Sequence, residues 1–362
     1  MGTSRDIRYY PLLLVLAVLF LMSLACAGTT STSEPQINTA TPEKSEPKIS
    51  TATPEKVEQK QPTGTQRSQV KLSDTPEPTT SPIVTPTPEP QFLGDVFGQY
   101  GYYLSAIRVE DPATPGMFYK PVSGKKLVAV EVIIGVSSGD PINLNPLGAL
   151  LLDSEGFTYQ PELVGQDIQL MTELFQGEKI RGVISFSIPE KAIPASIKYS
   201  IELFGDKVLK ASLEKAPAGH VPSNIEVLSV SPPVPESKLG DTVEQYGYSL
   251  AALAVEDPAL PGTFTQPKNG YKLVAIEIAL GNISGDTLSV NPLFTVLVDT
   301  NGYVYKPELA VGDEQLAPLD INPGEKIRGW VTFMIPEDAS PYIIKYQLTM
   351  FSYQYLSSGL SK

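Results

Sequence analysis

One cysteine, one histidine and one tryptophan are spread over 362 residues, and each scarcity removes a class of chemistry. A lone cysteine allows no disulfide within the chain, so stability must come from apolar cores. A lone histidine leaves no imidazole cluster for zinc and no second site for a duplicated nucleophilic triad. That histidine, His220, stands in a Pro-rich stretch and reads as an exposed linker residue. No Gly-rich phosphate loop occurs between a strand and a helix, and no segment carries a 3.6-residue apolar period. Basic charge is also short: 27 Lys and Arg against 40 Asp and Glu give a net charge of −13. Nucleic acid and anionic lipid headgroups are therefore not expected as direct ligands. No cofactor and no metal is expected.

What is present begins with an export pattern. Arg5 and Arg8 precede an apolar run from Pro11 to Ala25 that closes with Ser23-Leu24-Ala25-Cys26. A positive start, an apolar middle and a small residue before the cut make a secretory signal. The run falls short of the roughly 20 residues that span a bilayer comfortably. Ala25-Cys26-Ala27-Gly28 resembles the lipobox of bacterial lipoproteins, with Ser23 departing from the usual large aliphatic residue. The resemblance implies a signal peptide over 1–25, acylation of Cys26 and a lipid-anchored position on the outer side of the cell membrane. Two acyl chains on one cysteine suffice for stable anchoring. An uncleaved signal anchor would leave the remainder on the same side.

Residues 26–92 are rich in Thr, Pro and Glu and contain their own small repeat, Thr39 to Lys44 against Thr51 to Lys56. Such composition buries too little apolar surface to offset its ordering entropy, so a disordered stalk is expected.

The rest of the chain repeats itself. Leu93-Gly94-Asp95, Gln99-Tyr100-Gly101-Tyr102 and Val109-Glu110-Asp111-Pro112 return as Leu239-Gly240-Asp241, Gln245-Tyr246-Gly247-Tyr248 and Val255-Glu256-Asp257-Pro258. Gly177 to Gly182 likewise returns as Gly324 to Gly329. Each copy is about one domain long, which makes this a tandem duplication and not a short-period solenoid. Domains are expected over 93–215 and 239–362, joined by a Pro-rich linker over 216–238.

Both copies read as all-β. Val128, Val130, Val132 and Ile134 alternate with Ala129 and Glu131, and Val274, Ile276, Ile278 and Leu280 repeat that face. Period-2 alternation marks a strand with one side inward. Asp299-Thr300-Asn301-Gly302 carries the Asn-Gly pair of a two-residue hairpin loop. About seven strands per copy predict two immunoglobulin-like β-sandwiches. The order of Gly124 to Val130, Leu151 to Tyr159 and Gly177 to Pro189, with its counterparts 270–276, 297–305 and 323–336, resembles domain of unknown function 4352. That resemblance implies secreted bacterial immunoglobulin-like modules, often on lipoproteins, and carries no agreed activity.

Candidate functional residues are few. Glu110-Asp111 and Glu256-Asp257 are paired acids that a calcium site or a glycosidase would need, yet each precedes Pro and reads more simply as a strand end. Glu131 and Glu277 lie on the outer face of apolar strands, where Lys from a neighbouring strand would pair with them. Arg181 and Arg328 are expected to pair with acids, and Trp330 to be outward or partly covered. Tyr100, Tyr102, Tyr246 and Tyr248 offer the rigid amphipathic contact area of a binding surface, or else half-buried sandwich positions. The sequence thus points to a non-catalytic module that binds an extracellular protein or cell-wall polymer. A structural envelope spacer and a carbohydrate-active enzyme are the alternatives.

Overall fold

A computed structural model describes residues 91–115, 119–162, 171–202, 206–261, 265–308, 314–349 and 354–362. The expected signal peptide, Cys26 and nearly all of the stalk lie outside the described residues. Among the described residues no helix is long and apolar enough to cross a membrane, and the helical turns are short 3₁₀ segments.

Copy one contains β1 (Val96–Gln99), β2 (Tyr102–Glu110), β3 (Lys125–Val136), β4 (Ile142–Leu144), β5 (Ala149–Asp153), β6 (Thr158–Tyr159), β7 (Pro161–Glu162), β8 (Thr172–Leu174), β9 (Lys179–Pro189), β10 (Pro194–Ser200) and β11 (Val208–Ser212). They form a five-stranded sheet in the order β1-β2-β3-β9-β7, a four-stranded sheet β11-β10-β5-β6, and the short ladder β4-β8. Copy two repeats the plan with β12 (Thr242–Gln245), β13 (Tyr248–Glu256), β14 (Tyr271–Asn282), β15 (Leu288–Val290), β16 (Thr295–Asp299), β17 (Val304–Tyr305), β18 (Pro307–Glu308), β19 (Leu319–Ile321), β20 (Lys326–Pro336), β21 (Pro341–Gln347) and β22 (Tyr355–Gly359). Its sheets run β12-β13-β14-β20-β18, β17-β16-β21-β22 and β15-β19. Each copy is a β-sandwich of antiparallel sheets.

Among the described residues each copy has eleven strands, against the expected seven. The additional ones are two or three residues long, too short for a period-2 pattern to show. The apolar faces read from the sequence are the core. Val128, Val130, Val132 and Ile134 are fully buried against Leu151, Ile197 and Tyr199 of the opposite sheet. Burying each such side chain contributes roughly 1.5–3 kcal/mol.

Two turns explain much of the duplicated sequence. Tyr100 and Gly101 have φ of 60° and 85°, and Tyr246 and Gly247 have 55° and 84°. Two successive positive φ values make a type I′ turn, whose twist matches the flanking strands β1 and β2 or β12 and β13. The Asp299 hairpin differs from its expected two-residue form. Asp299 N–H donates to Tyr303 O at 3.0 Å, which leaves Thr300, Asn301 and Gly302 as a three-residue loop. Only Gly302 in it has positive φ, the arrangement of a type I turn followed by a glycine bulge. The Asp299 carboxylate accepts from Asn301 N, Tyr303 N and the Tyr305 hydroxyl at 2.8, 2.8 and 2.9 Å. Asp153 holds the copy-one loop in the same way through Glu155, Phe157 and Tyr159.

Candidate functional site, the junction cleft

The stretch 216–238 is not a free linker. It runs back along copy one, and His220 is held there. His220 Nε2 lies 2.7 Å from Asp95 Oδ1, and its ring meets Phe92 edge-on at 5.0 Å. The Asp95 carboxylate also accepts from Phe92 N and Ser223 N. Burial works against its charge, but these bonds and His220 outweigh it and hold the pKa below the usual carboxylate value. The expectation of an exposed histidine is thus corrected: Asp95 provides a buried acceptor that the linker sequence gives no hint of. Beyond His220, Val227 and Leu228 pack on Val96, Tyr103 and Ile133, together with Tyr303 of copy two.

Through this wedge the corner between β8 and β9 of copy one docks on the outer face of β16, β21 and β22. Lys345 Nζ donates to both oxygens of Glu178 at 2.8 and 2.6 Å, with each side chain only 5% exposed. The same ammonium sits 4.4 Å from the Phe175 ring centre and 5.3 Å from that of Tyr355. Glu173 is buried beside them, with the Tyr355 hydroxyl next to its carboxylate. Burial pushes its pKa up to about 7, with Glu178 adding to the rise and Lys345 opposing it. Lys179 crosses the junction too: its Nζ donates to the carbonyls of Leu228 and Asn301, and its own N–H donates to Gly302 O at 2.8 Å. Burial lowers the Lys179 pKa, against the pull of Asp299. Apolar Val296, Val298, Val304 and Ile343 of copy two join the copy-one core.

Beside this contact the two copies enclose a cleft of about 620 Å³. Copy one lines it with Arg108, Glu131 and Arg181, copy two with Lys268, Tyr271, Tyr303, Lys306, Glu308 and Asp338, among others. A register shift in β2 between Ala106 and Arg108 sets Arg108 opposite Glu131, and β9 sets Arg181 beside it. Arg108 Nε and Arg181 Nε donate to the two oxygens of Glu131 at 2.9 and 2.7 Å. The bond to Glu131 raises the Arg181 pKa, and Tyr271 and Tyr303 lie close enough to add to it. Lys306 is half-buried and has no ion-pair partner among the described residues. Burial, with Lys345 nearby, lowers its pKa to about 8.

The other sequence candidates fall elsewhere. Tyr100 and Tyr246 are about half exposed at the type I′ turn tips (50% and 47%). Tyr102 belongs to the copy-one core, and Tyr248 packs half-buried on the core of copy two. The four do not converge on the cleft. Glu110 accepts from Thr114 N and Asp111 pairs with Lys126, and Asp257 pairs with Lys272, so these acids brace strand ends. Among the described residues no group of three or more His, Cys, Asp or Glu is placed to hold a metal ion. Glu131 is paired by arginine where lysine was expected, because the bulge in β2 brings Arg108 into register. Arg328 stands 3.8 Å from Glu277, and Trp330 is partly buried against Ala259, Leu273 and Ala275. The sequence reading gave no role to Glu173, Glu178, Lys179, Lys306 and Lys345; Glu178 and Lys179 lie in the duplicated stretch Gly177 to Gly182, but their counterparts Glu325 and Lys326 are exposed.

No curated protein matches the chain. Among solved structures, a Bacillus subtilis protein described as a candidate lipoprotein is 13% identical with a TM-score of 0.29; the match covers 33% of this chain and 38% of that one. A secreted protein of Mycobacterium tuberculosis, MPT63, is 15% identical with a TM-score of 0.27, over 34% of this chain and 92% of its own. A β-sandwich protein of Clostridium difficile is 16% identical with a TM-score of 0.26, over 36% and 98%. The model of domain of unknown function 4352 matches residues 105–211 and again 237–355. These two matches take in well over half of the sequence and coincide with the two sandwiches, and the chain belongs to that family.

Proposed function

We propose that this chain is a non-catalytic, extracytoplasmic binding module whose recognition site is the cleft between its two sandwiches. The observation that carries this is the cleft itself, enclosed by tyrosines and charged side chains from both copies and fixed by a buried ion pair. Its volume lies in the range of small-ligand sites, which favour domain interfaces. Export of the chain on an acylated Cys26 is supported by the signal pattern and the lipobox resemblance, and would present the cleft to envelope polymers and proteins.

The test is retention of envelope material by the immobilised full chain and by its Tyr271→Ala variant. A component held by the natural chain and lost from the variant supports the cleft. Equal retention by both would move recognition away from the cleft, and none by either would favour the spacer reading, which the docked junction also suits.

A further inference from the structure

The cleft is lined by four cations, Arg108, Arg181, Lys268 and Lys306, and four carboxylates, Glu131, Asp299, Glu308 and Asp338, but they are not paired one to one. Two guanidinium groups, Arg108 and Arg181, share the single carboxylate of Glu131, each through its Nε. Their side chains are 65% and 54% exposed, which leaves the terminal nitrogens on the open side. An arginine engaged in this way keeps donors in a planar fork, the geometry that suits carboxylate and phosphate. Lys306, half-buried in the same cleft, makes no close ion pair among the described residues. Burial and Lys345 already disfavour its charged form, so an incoming anion would relieve the cost of keeping that charge.

The remaining lining suits a hydroxyl-rich ligand. Tyr271 and Tyr303 lie near Arg181 and supply flat amphipathic faces. Glu308 and Asp338 line the cleft as acceptors. A purely cationic hole would select any small anion, whereas cations, acceptors and aromatic faces together match a sugar bearing one acidic group. Copy two provides an internal control. Arg328 and Glu277 repeat Arg181 and Glu131, but Ala254 stands where copy one has Arg108, and the cleft includes neither Arg328 nor Glu277.

We propose that the junction cleft binds acidic saccharides, holding a carboxylate or phosphate with Arg108, Arg181 and Lys306. This rests on the cleft being the recognition site. The net charge of −13 repels anions at long range, but that field is screened beyond about 8 Å at physiological salt. Within the cleft, the placement of the two guanidinium groups and Lys306 therefore decides where an anion settles.

The experiment titrates the full chain with glucose, glucuronic acid and glucose 6-phosphate, read by calorimetry or by shifts of tyrosine resonances. Saturable binding of at least one acidic sugar, about tenfold tighter than glucose, is expected; which acid binds better separates a carboxylate site from a phosphate site. Arg181→Gln and Lys306→Gln should each weaken it about tenfold, while Arg328→Gln leaves it unchanged. No saturable binding of either acid overturns the proposal. So does an equal loss in Arg181→Gln and Arg328→Gln, which would show only diffuse surface charge. Equal binding of glucose and the acids, abolished by Tyr271→Ala, would overturn the acidic preference while leaving the cleft as the recognition site.

Discussion

The two copies share one sandwich, yet equivalent residues meet opposite fates. Glu178 is buried against Lys345, whereas its counterpart Glu325 is exposed and accepts from Asn322 N. Lys179 is buried and its counterpart Lys326 is exposed. In β5 the side chains of Leu150 and Leu152 are half-buried, but in β16 the equivalent Val296 and Val298 are covered by copy one. Duplication supplied two identical faces per domain, and head-to-tail docking used a different face of each. The fold is symmetric; the junction, and with it the cleft, is not.

The comparison is broken hardest at the buried ion pair. Removing one partner of such a pair leaves an uncompensated charge out of water, which costs on the order of 3–5 kcal/mol. Lys345→Ala or Glu178→Ala should lower stability by that amount in urea denaturation. Lys198→Ala, the half-buried copy-one counterpart of Lys345, should stay within about 0.5 kcal/mol. The double variant Glu178→Leu with Lys345→Met should recover most of the loss, because an apolar pair of similar volume carries no desolvation cost. Equal losses at Lys345 and Lys198 would show that the junction does not hold the copies together.

Glu173 gives the next largest effect and a direction with pH. Its folded-state pKa of about 7 lies above the ordinary 4.5 because burial disfavours the charge. An acid raised in the folded state contributes stability in full below its unfolded pKa and loses it as pH climbs through the folded one. The protein should therefore weaken as pH rises from about 4.5 through about 7, by on the order of 2 kcal/mol at this one residue. Glu173→Gln cannot ionise and should flatten that slope, measured as urea midpoints at pH 5 and pH 8. Asp320, its counterpart in copy two, is exposed and accepts from Ser289 Oγ at 2.6 Å; Asp320→Asn should leave the slope intact.

These residues also mark where the sequence stops being readable. The strand faces are written in period-2 alternation, and the copies agree on them, so both cores could be read directly. The type I′ and Asp-anchored turns are local, and their residues sit next to one another in the chain. The junction is neither periodic nor local. Leu150-Leu151-Leu152 is as apolar as Val296-Leu297-Val298, so hydropathy gives no sign of which strand is covered on both faces. Arg108 reaches Glu131 only because of a bulge in β2, and His220 finds Asp95 across 125 residues. Pairings of this kind depend on which faces dock, which no repeat of the sequence encodes.

Tyr103 offers a smaller and opposite effect. Its ring is fully buried beneath the linker wedge, and its hydroxyl has no hydrogen-bond partner. Copy two has Ser249 at this place. A buried hydroxyl without a partner forfeits its hydration for nothing, so Tyr103→Phe should stabilise the protein by about 1 kcal/mol. A loss of stability would mean that the hydroxyl does find a donor or acceptor at the junction.

The smallest effect tests the tyrosines that first suggested a binding surface. Tyr100 and Tyr246 hold left-handed φ values of 60° and 55°, a region costly for a bulky side chain and tolerated by Asn. Tyr100→Asn and Tyr246→Asn should each gain about 0.5–1 kcal/mol, and by the same amount, since both turns repeat without reference to the junction. A tyrosine kept in an unfavourable conformation is also a sign of use. If either variant gains stability and also loses retention of envelope material, the turn tips share in recognition. If stability rises and retention is unchanged, the cleft alone recognises the ligand, and the duplicated Gln-Tyr-Gly-Tyr records only the twist of a hairpin.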